Sequence, residues 1–244
     1  MKREDVRKRL AIALDADDLV VAARLAASVS EYFGIAKVGL ELYTAAGPEA
    51  VEAMIDAGFE VFVDLKLHDI PTTVERAARV VGGLGARYLT LHAQGGPEMV
   101  RAGVEGLTGG AAAGGFGEPV ALGVTVLTSD PVHSAALIEE RLEVAVSAGC
   151  RGVVCSAADL DTVGRWQSGS GGGANPLLTV VPGIRPAGVG AGDQRRVATP
   201  EAALRAGAGV LVVGRAVTGA VDPVLAARAI AKGAAEVLGG QGGG

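Results

Sequence analysis

Aromatic side chains are scarce in this sequence: one Trp, three Tyr and four Phe among 244 residues, or 3%. Proteins that hold single-stranded nucleic acid rely on stacking platforms, and a formal charge of −5 leaves no basic surplus for a phosphate backbone. Nucleic acid is therefore not an expected partner. Cysteine is limited to Cys150 and Cys155. Two thiols five residues apart could pair or bind a metal, but no second ligand cluster accompanies them. They read as reduced thiols flanking a buried strand, which fits a reducing compartment. No apolar run reaches about 18 residues without a charge or a breaker, so no membrane span is expected. The opening Met1-Lys2-Arg3-Glu4-Asp5 is charged and lacks the apolar stretch of a signal peptide. The expected location is the cytoplasm.

Small and aliphatic residues fill the space the aromatics leave. There are 38 Gly and 44 Ala, and 49% of the chain is hydrophobic. That apolar content with modest charge excludes a disordered chain. The glycines have no period of three, which excludes collagen. A core of Val, Leu, Ile and Ala suits close packing of helices on a sheet.

Short apolar runs alternate with helical spacing along the whole chain. Strands are predicted at Leu10–Asp15, Ala36–Leu40, Glu60–Lys66, Tyr88–Ala93, Val120–Thr128, Gly152–Ala157, Leu177–Gly183 and Val210–Arg215. Helices are predicted at Asp18–Phe33, Ala45–Ala57, Pro71–Leu84, Pro97–Leu107, Ser134–Ala148, Ala158–Trp166, Pro200–Ala206 and Pro223–Leu238. Successive strand ends are 24 to 35 residues apart. Eight evenly spaced units argue for a single-domain (β/α)₈ barrel, a fold of about 250 residues, with a doubly wound sheet as the alternative. Residues 1–238 make up the expected domain, and Gly239–Gly244 reads as a disordered tail. Gly109–Gly117 and Ser168–Gly173 read as flexible surface insertions.

Barrel active sites lie at the C-terminal ends of the strands. The densest polar cluster there is Val63-Asp64-Leu65-Lys66-Leu67-His68-Asp69-Ile70-Pro71. Asp64 and Lys66 are two apart on a strand and share a face. A carboxylate and an ammonium at a barrel mouth need each other, because an unpaired buried charge is costly. Asp69 can approach Lys66 or reach outward to a partner chain. Lys37, on the neighbouring strand, could complete an alternating Lys–Asp–Lys–Asp set, and a purely structural ion-pair network is the bland alternative. Late in the chain, Val181-Pro182-Gly183-Ile184-Arg185 and Val213-Gly214-Arg215 follow strands seven and eight. Glycine permits close backbone approach, arginine offers a forked cation, and the loops after strands seven and eight form the usual phosphate site of this fold.

These segments resemble the orotidine 5′-phosphate decarboxylase family in its short single-domain form. The matching stretches are LAIALD (residues 10–15), KVG (37–39), DLKLHDIPTT (64–73), VTVLTS (124–129), VPGIRP (181–186), GDQRRVATP (192–200) and VVGRAVT (212–218). They cover nearly the whole chain in the family's order, and the D-x-K-x-x-D-I-P block with its upstream KVG is highly specific. The resemblance implies a catalytic tetrad of Lys37, Asp64, Lys66 and Asp69. It implies ribose contacts from Asp15 and Lys37, a pyrimidine contact from Thr128, and substrate contacts from Asp64 and Ile70. Arg185, Gln194, Gly214 and Arg215 would grip the phosphate, with Pro182 lining it. Asp69 and Thr73 would reach the neighbouring subunit's site, making a homodimer the active form. The implied ligands are orotidine 5′-phosphate and UMP, with no cofactor and no metal.

The implied chemistry agrees with the residue types. Loss of CO₂ from C6 leaves a carbanion with little resonance help. An ammonium beside C6 would stabilise that charge and then donate a proton. Glycines at 188, 190 and 192 fit a lid that closes over the phosphate. Related barrels that share D-x-K-x-x-D are Mg²⁺-dependent sugar-phosphate aldolases or decarboxylases, and carry a glutamate where this chain has Lys37. A lysine there repels a divalent cation. A sugar-phosphate epimerase would need a histidine-rich metal set, which His68, His92 and His133 do not supply convincingly. A nucleotide-binding barrel without catalysis is disfavoured because every tetrad position is present.

Overall fold

The computed structural model describes residues 3–127, 130, 133–169, 176–186 and 198–240. Eight strands form a closed barrel in sequence order: β1 (Leu10–Ala13), β2 (Ile35–Gly39), β3 (Glu60–Leu67), β4 (Tyr88–His92), β5 (Val120–Val124), β6 (Gly152–Val154), β7 (Leu178–Val181) and β8 (Val210–Val213). The helices among the described residues are α1 (Arg3–Arg7), α2 (Leu19–Val29), α3 (Leu40–Ala46), α4 (Pro48–Asp56), α5 (Pro71–Gly83), α6 (Gly96–Ala113), α7 (Ala135–Ser147), α8 (Leu160–Ser168), α9 (Pro200–Arg205), α10 (Arg215–Thr218) and α11 (Pro223–Gly240). The predicted (β/α)₈ class is the one observed. By contacts the chain packs as two compact units: a terminal unit, Met1–Phe62 with Val181–Gly244, and a central unit, Val63–Val180.

In the terminal unit β1 is flanked by β2 and β8, both parallel to it. Ala13 stands opposite Lys37, which sets that lysine beside the end of β1. Leu10, Ile12, Ile35, Val38, Leu211 and Val213 are all buried, as near-continuous apolar runs in a two-sided parallel sheet require. Asp18 caps α2 by accepting the Val21 N–H at 2.9 Å, and Thr199 caps α9 from Ala202 at 3.2 Å. Such caps contribute about 1 kcal/mol each. The predicted helix at Ala45–Ala57 corresponds to α4, and its first two residues close a separate helix, α3, that the sequence did not lead one to expect. The chain breaks at Gly47, whose φ of +59° lies in the left-handed region.

In the central unit β4, β5, β6 and β7 pair in parallel, in that order. Its most intimate helix contact is between α5 and α6. A Cβ on Gly106 would strike the Glu75 carbonyl, one on Gly110 the Arg79 carbonyl, and one on Gly82 the Leu107 carbonyl. Gly109–Gly117 is therefore not a flexible insertion throughout. Its first five residues are the last turns of α6, and Gly110 lets two helix backbones touch. Gly239 and Gly240 likewise belong to α11 and not to a tail. Residues 241–244 lie outside the described residues, as do residues 170–173 of the second glycine-rich stretch.

Candidate active site

The terminal unit carries a charged pair at the end of its strands. Lys37 lies in β2 and is buried, while Asp15 follows β1 and its side chain is 55% exposed. Their Nζ and Oδ1 atoms are 3.1 Å apart. Gly39 makes room for them: a Cβ there would lie 2.8 Å from Lys37 Nζ and 3.0 Å from Asp15 Oδ1. The glycine of the KVG stretch is thus needed for space, since its own φ of −92° suits any residue.

The late loops also belong to the terminal unit. Gly183 adopts φ +79°, and the next residue, Ile184, forms a parallel bridge with Ala198. The Arg185 N–H donates to the Ala198 carbonyl at 2.9 Å. Arg185 is buried and Pro182 half-buried. Arg215, predicted as the end of a strand, is instead the first residue of α10 and is exposed, with Gly214 as the N-cap. A Cβ on Gly214 would meet only the Ala13 side chain, at an ordinary 3.6 Å. Packing therefore does not demand that glycine. Thr128, Gln194 and the Gly188–Gln194 loop lie outside the described residues.

The central unit carries a charged pair of its own. Lys66 Nζ donates to Asp64 Oδ1 at 2.9 Å, with the carboxylate largely buried and the ammonium side chain 32% exposed. The two share a face of β3, as their spacing predicts. Lys66 departs from strand geometry, with φ +50°, and is the only non-glycine residue with positive φ among those described. Such a conformation costs about 1–3 kcal/mol and persists only where the surroundings enforce it. The group that takes up the Lys66 N–H is Thr90, wholly buried in β4. Its Oγ1 accepts the Lys66 N–H at 2.8 Å and donates to Asp64 Oδ1 at 3.0 Å. Sequence reasoning missed Thr90. The available signal was a hydroxyl in phase with His92 on an otherwise apolar strand.

Beyond β3 the chain turns outward. Asp69 is exposed and its Oδ1 accepts the Ile70 N–H at 2.7 Å. Ile70 is 66% exposed and precedes α5, and Thr73 is exposed on its first turn. The His68 and His92 rings stack with centroids 5.4 Å apart. Burial, then the positive fields of His68, Arg141 and Lys66, hold the His92 imidazole below its ordinary pKa, against an opposing pull from Asp130. Thr125 is buried and donates to the Val154 carbonyl at 3.1 Å, so its hydroxyl is engaged by the backbone. His133 Nε2 lies 2.6 Å from the buried carboxylate of Asp159, which also accepts the Ser156 N–H and hydroxyl. This ties the segment before α7 to the turn before α8. The two cysteines are buried, and burial pushes the Cys150 thiol up to about 12 and Cys155 upward as well. Burial of this kind disfavours the reactive thiolate. Among the described residues no group of three or more His, Cys, Asp or Glu is placed to hold a metal ion. Among them, too, no helix is long and apolar enough to cross a membrane.

Known proteins resemble this chain in sequence and in fold. Residues 8–230 match the model of the orotidine 5′-phosphate decarboxylase / HUMPS family. The chain is 49% identical over 236 residues to an orotidine 5′-phosphate decarboxylase of Anaeromyxobacter sp. (strain K), covering 93% of this chain and 98% of that one. It is 43% identical over 242 residues to the Moorella thermoacetica enzyme of the same name, covering 95% and 94%. A crystal structure of orotidine 5′-phosphate decarboxylase from Lactobacillus acidophilus superposes with a TM-score of 0.75 at 32% identity, over 93% of this chain and 99% of that one. The chain belongs to the orotidine 5′-phosphate decarboxylase / HUMPS family.

Proposed function

We propose that this chain decarboxylates orotidine 5′-phosphate to UMP and CO₂, the last step of UMP synthesis, without cofactor or metal. The observation that carries the reading is the Asp64–Lys66 pair, an ammonium 2.9 Å from a largely buried carboxylate at the end of a barrel strand. In the reaction the bond from C6 to the carboxyl carbon breaks and its electron pair stays on C6. The carboxylate leaves as CO₂. Lys66 stabilises the developing charge and then donates a proton from Nζ to C6. Solvent restores the ammonium. Asp64 faces the substrate carboxylate, a repulsion relieved as CO₂ forms.

Asp69 and Lys37 orient the two reacting charges, and Asp15 with Lys37 binds the ribose hydroxyls. Thr128 contacts the pyrimidine, and Ile70 touches the substrate. Arg185, Gln194, Gly214 and Arg215 hold the phosphate, with Pro182 beside them. That distant grip supplies binding energy for orientation at C6. Residues 1–238 act as one cytoplasmic decarboxylase domain. Exposure of Asp69, Ile70 and Thr73 at the start of α5 supports a homodimer in which Asp69 and Thr73 serve the neighbouring copy's site.

The test is conversion of orotidine 5′-phosphate by the purified chain, followed by absorbance with a chelator present. Full turnover is expected. Turnover lost to the chelator and restored by Mg²⁺ would point to the sugar-phosphate lyases of the same barrel type, with which Lys37 is at odds. No turnover under either condition would leave a nucleotide-binding barrel. Mixing Lys66→Ala with Asp69→Ala subunits should restore activity in hybrid dimers. Confirmed subunit exchange without rescue would sink the shared site.

A further inference from the structure

We propose that Thr90 is a positioning residue of the decarboxylation, its hydroxyl holding the Asp64 carboxylate and the left-handed Lys66 backbone in one arrangement. The inference rests on the decarboxylase reading above. An ionised carboxylate can only accept hydrogen bonds and a backbone N–H can only donate. The sense of both Thr90 bonds is therefore forced: Oγ1 receives the proton of Lys66 N–H at 2.8 Å and gives its own to Asp64 Oδ1 at 3.0 Å. That Oδ1 is also the atom to which Lys66 Nζ donates at 2.9 Å. Backbone of Lys66, hydroxyl of Thr90, carboxylate of Asp64 and ammonium of Lys66 thus form a closed ring of hydrogen bonds.

The ring gives the strained backbone a purpose. With φ at +50° Lys66 sits outside ordinary strand geometry, and the Thr90 hydroxyl takes up its N–H. Thr90 is wholly buried, so water cannot replace that hydroxyl. A threonine side chain is stiff at χ1, so its oxygen is a fixed point between two groups that must not drift. Small displacements of a reacting group are expensive, about 10²-fold for 1 Å. Thr90 touches no reacting atom in this scheme and acts through Asp64 and Lys66.

The experiment compares wild type, Thr90→Val and Thr90→Ser in the full chain, measuring kcat and KM for orotidine 5′-phosphate and Kd for UMP. Valine keeps the shape and removes the hydroxyl. Thr90→Val should lose about tenfold to hundredfold in kcat while KM and Kd for UMP change by less than about threefold. Thr90→Ser should recover kcat to within about threefold of wild type, because the oxygen returns. If Thr90→Val does not fold, Thr90→Ala takes its place and the same split is required. Wild-type kcat in the variant without a hydroxyl would overturn the proposal. So would a Thr90→Ser as impaired as Thr90→Val, since side-chain volume would then be the cause. A wild type inactive on orotidine 5′-phosphate would instead bring down the decarboxylase reading, and this inference with it.

Discussion

Each unit presents a lysine–aspartate pair at the end of a strand, Lys37 with Asp15 and Lys66 with Asp64, and the two are seated by opposite means. In the terminal unit the pair spans two strands, with ordinary backbone on both, and it fits because Gly39 has no side chain. In the central unit the pair lies within one strand, its lysine is held in left-handed backbone, and a buried hydroxyl anchors it. One pair is permitted by an omission and the other is enforced by strain plus a hydrogen bond. Under the proposed mechanism that difference matches the tasks. Asp15 and Lys37 bind ribose hydroxyls, with Lys37 also helping to orient the reacting charges, whereas the proton donor beside C6 must itself hold a fixed position.

The largest effect separates chemistry from binding. On the proposed mechanism Lys66→Ala removes both the stabilising charge and the acid, and turnover should fall by about 10³-fold or more. UMP should still bind, because the proposed phosphate grip belongs to other residues. Near-normal turnover would end the claim that Lys66 is the acid. Gly39→Ala tests the other pair. Its Cβ would push on Lys37 Nζ and Asp15 Oδ1, both ends of side chains that can move. KM should rise about tenfold with a smaller change in kcat, the signature of lost binding. An unchanged KM would show that the pair does not depend on the space.

The next effect is on stability, and it contrasts glycines in the two units. Gly106 and Gly110 of α6 face backbone carbonyls of α5. Gly106→Ala and Gly110→Ala should each destabilise the chain by about 1–3 kcal/mol, read in thermal or denaturant unfolding. In the terminal unit Gly233 of α11 faces only the end of the Glu201 side chain, which can swing away. Gly233→Ala should be close to neutral, since alanine favours the helix by about 1 kcal/mol. Equal losses at the three positions would show that close backbone contact is not what distinguishes α5 and α6.

Much of this was legible in the residues. The eight strands were readable because each is a short apolar run closed by a polar or glycine residue, as at Lys66 and Gly183. Predicted strands overran where burial continues past the end of the observed strand. Thr125 and Val126 remain buried after β5, and Cys155 and Ser156 after β6. Composition misled at Gly109–Gly117, because a glycine that admits a neighbouring helix looks the same in sequence as one in a loop. The pairing of Asp64 with Lys66 followed from period-two spacing. The left-handed Lys66 and the role of Thr90 did not, because both depend on a hydrogen bond between residues 24 apart. Gly39 was noted only as part of a motif, and its steric purpose needed the positions of Asp15 and Lys37.

The smallest effect should be confined to one unit. His92 lies in the central unit, and the terminal unit holds no histidine. His92 is held below its ordinary value of 6.5 by burial first, then by His68, Arg141 and Lys66. Its unfolded form therefore binds a proton more readily than its folded form. The sign follows from linkage: the contribution to stability is complete above about pH 6.5 and is lost as the pH falls from there through the lower folded value. Melting followed between pH 7 and pH 5 should show stability falling with acid, and His92→Gln should flatten part of that slope. Hydrogen exchange should place the loss in β4 and leave β1 and β2 unchanged over the same range. An unaltered slope in His92→Gln would remove the imidazole from the account, and equal acid loss in β1 would mean that the two units do not differ in this respect.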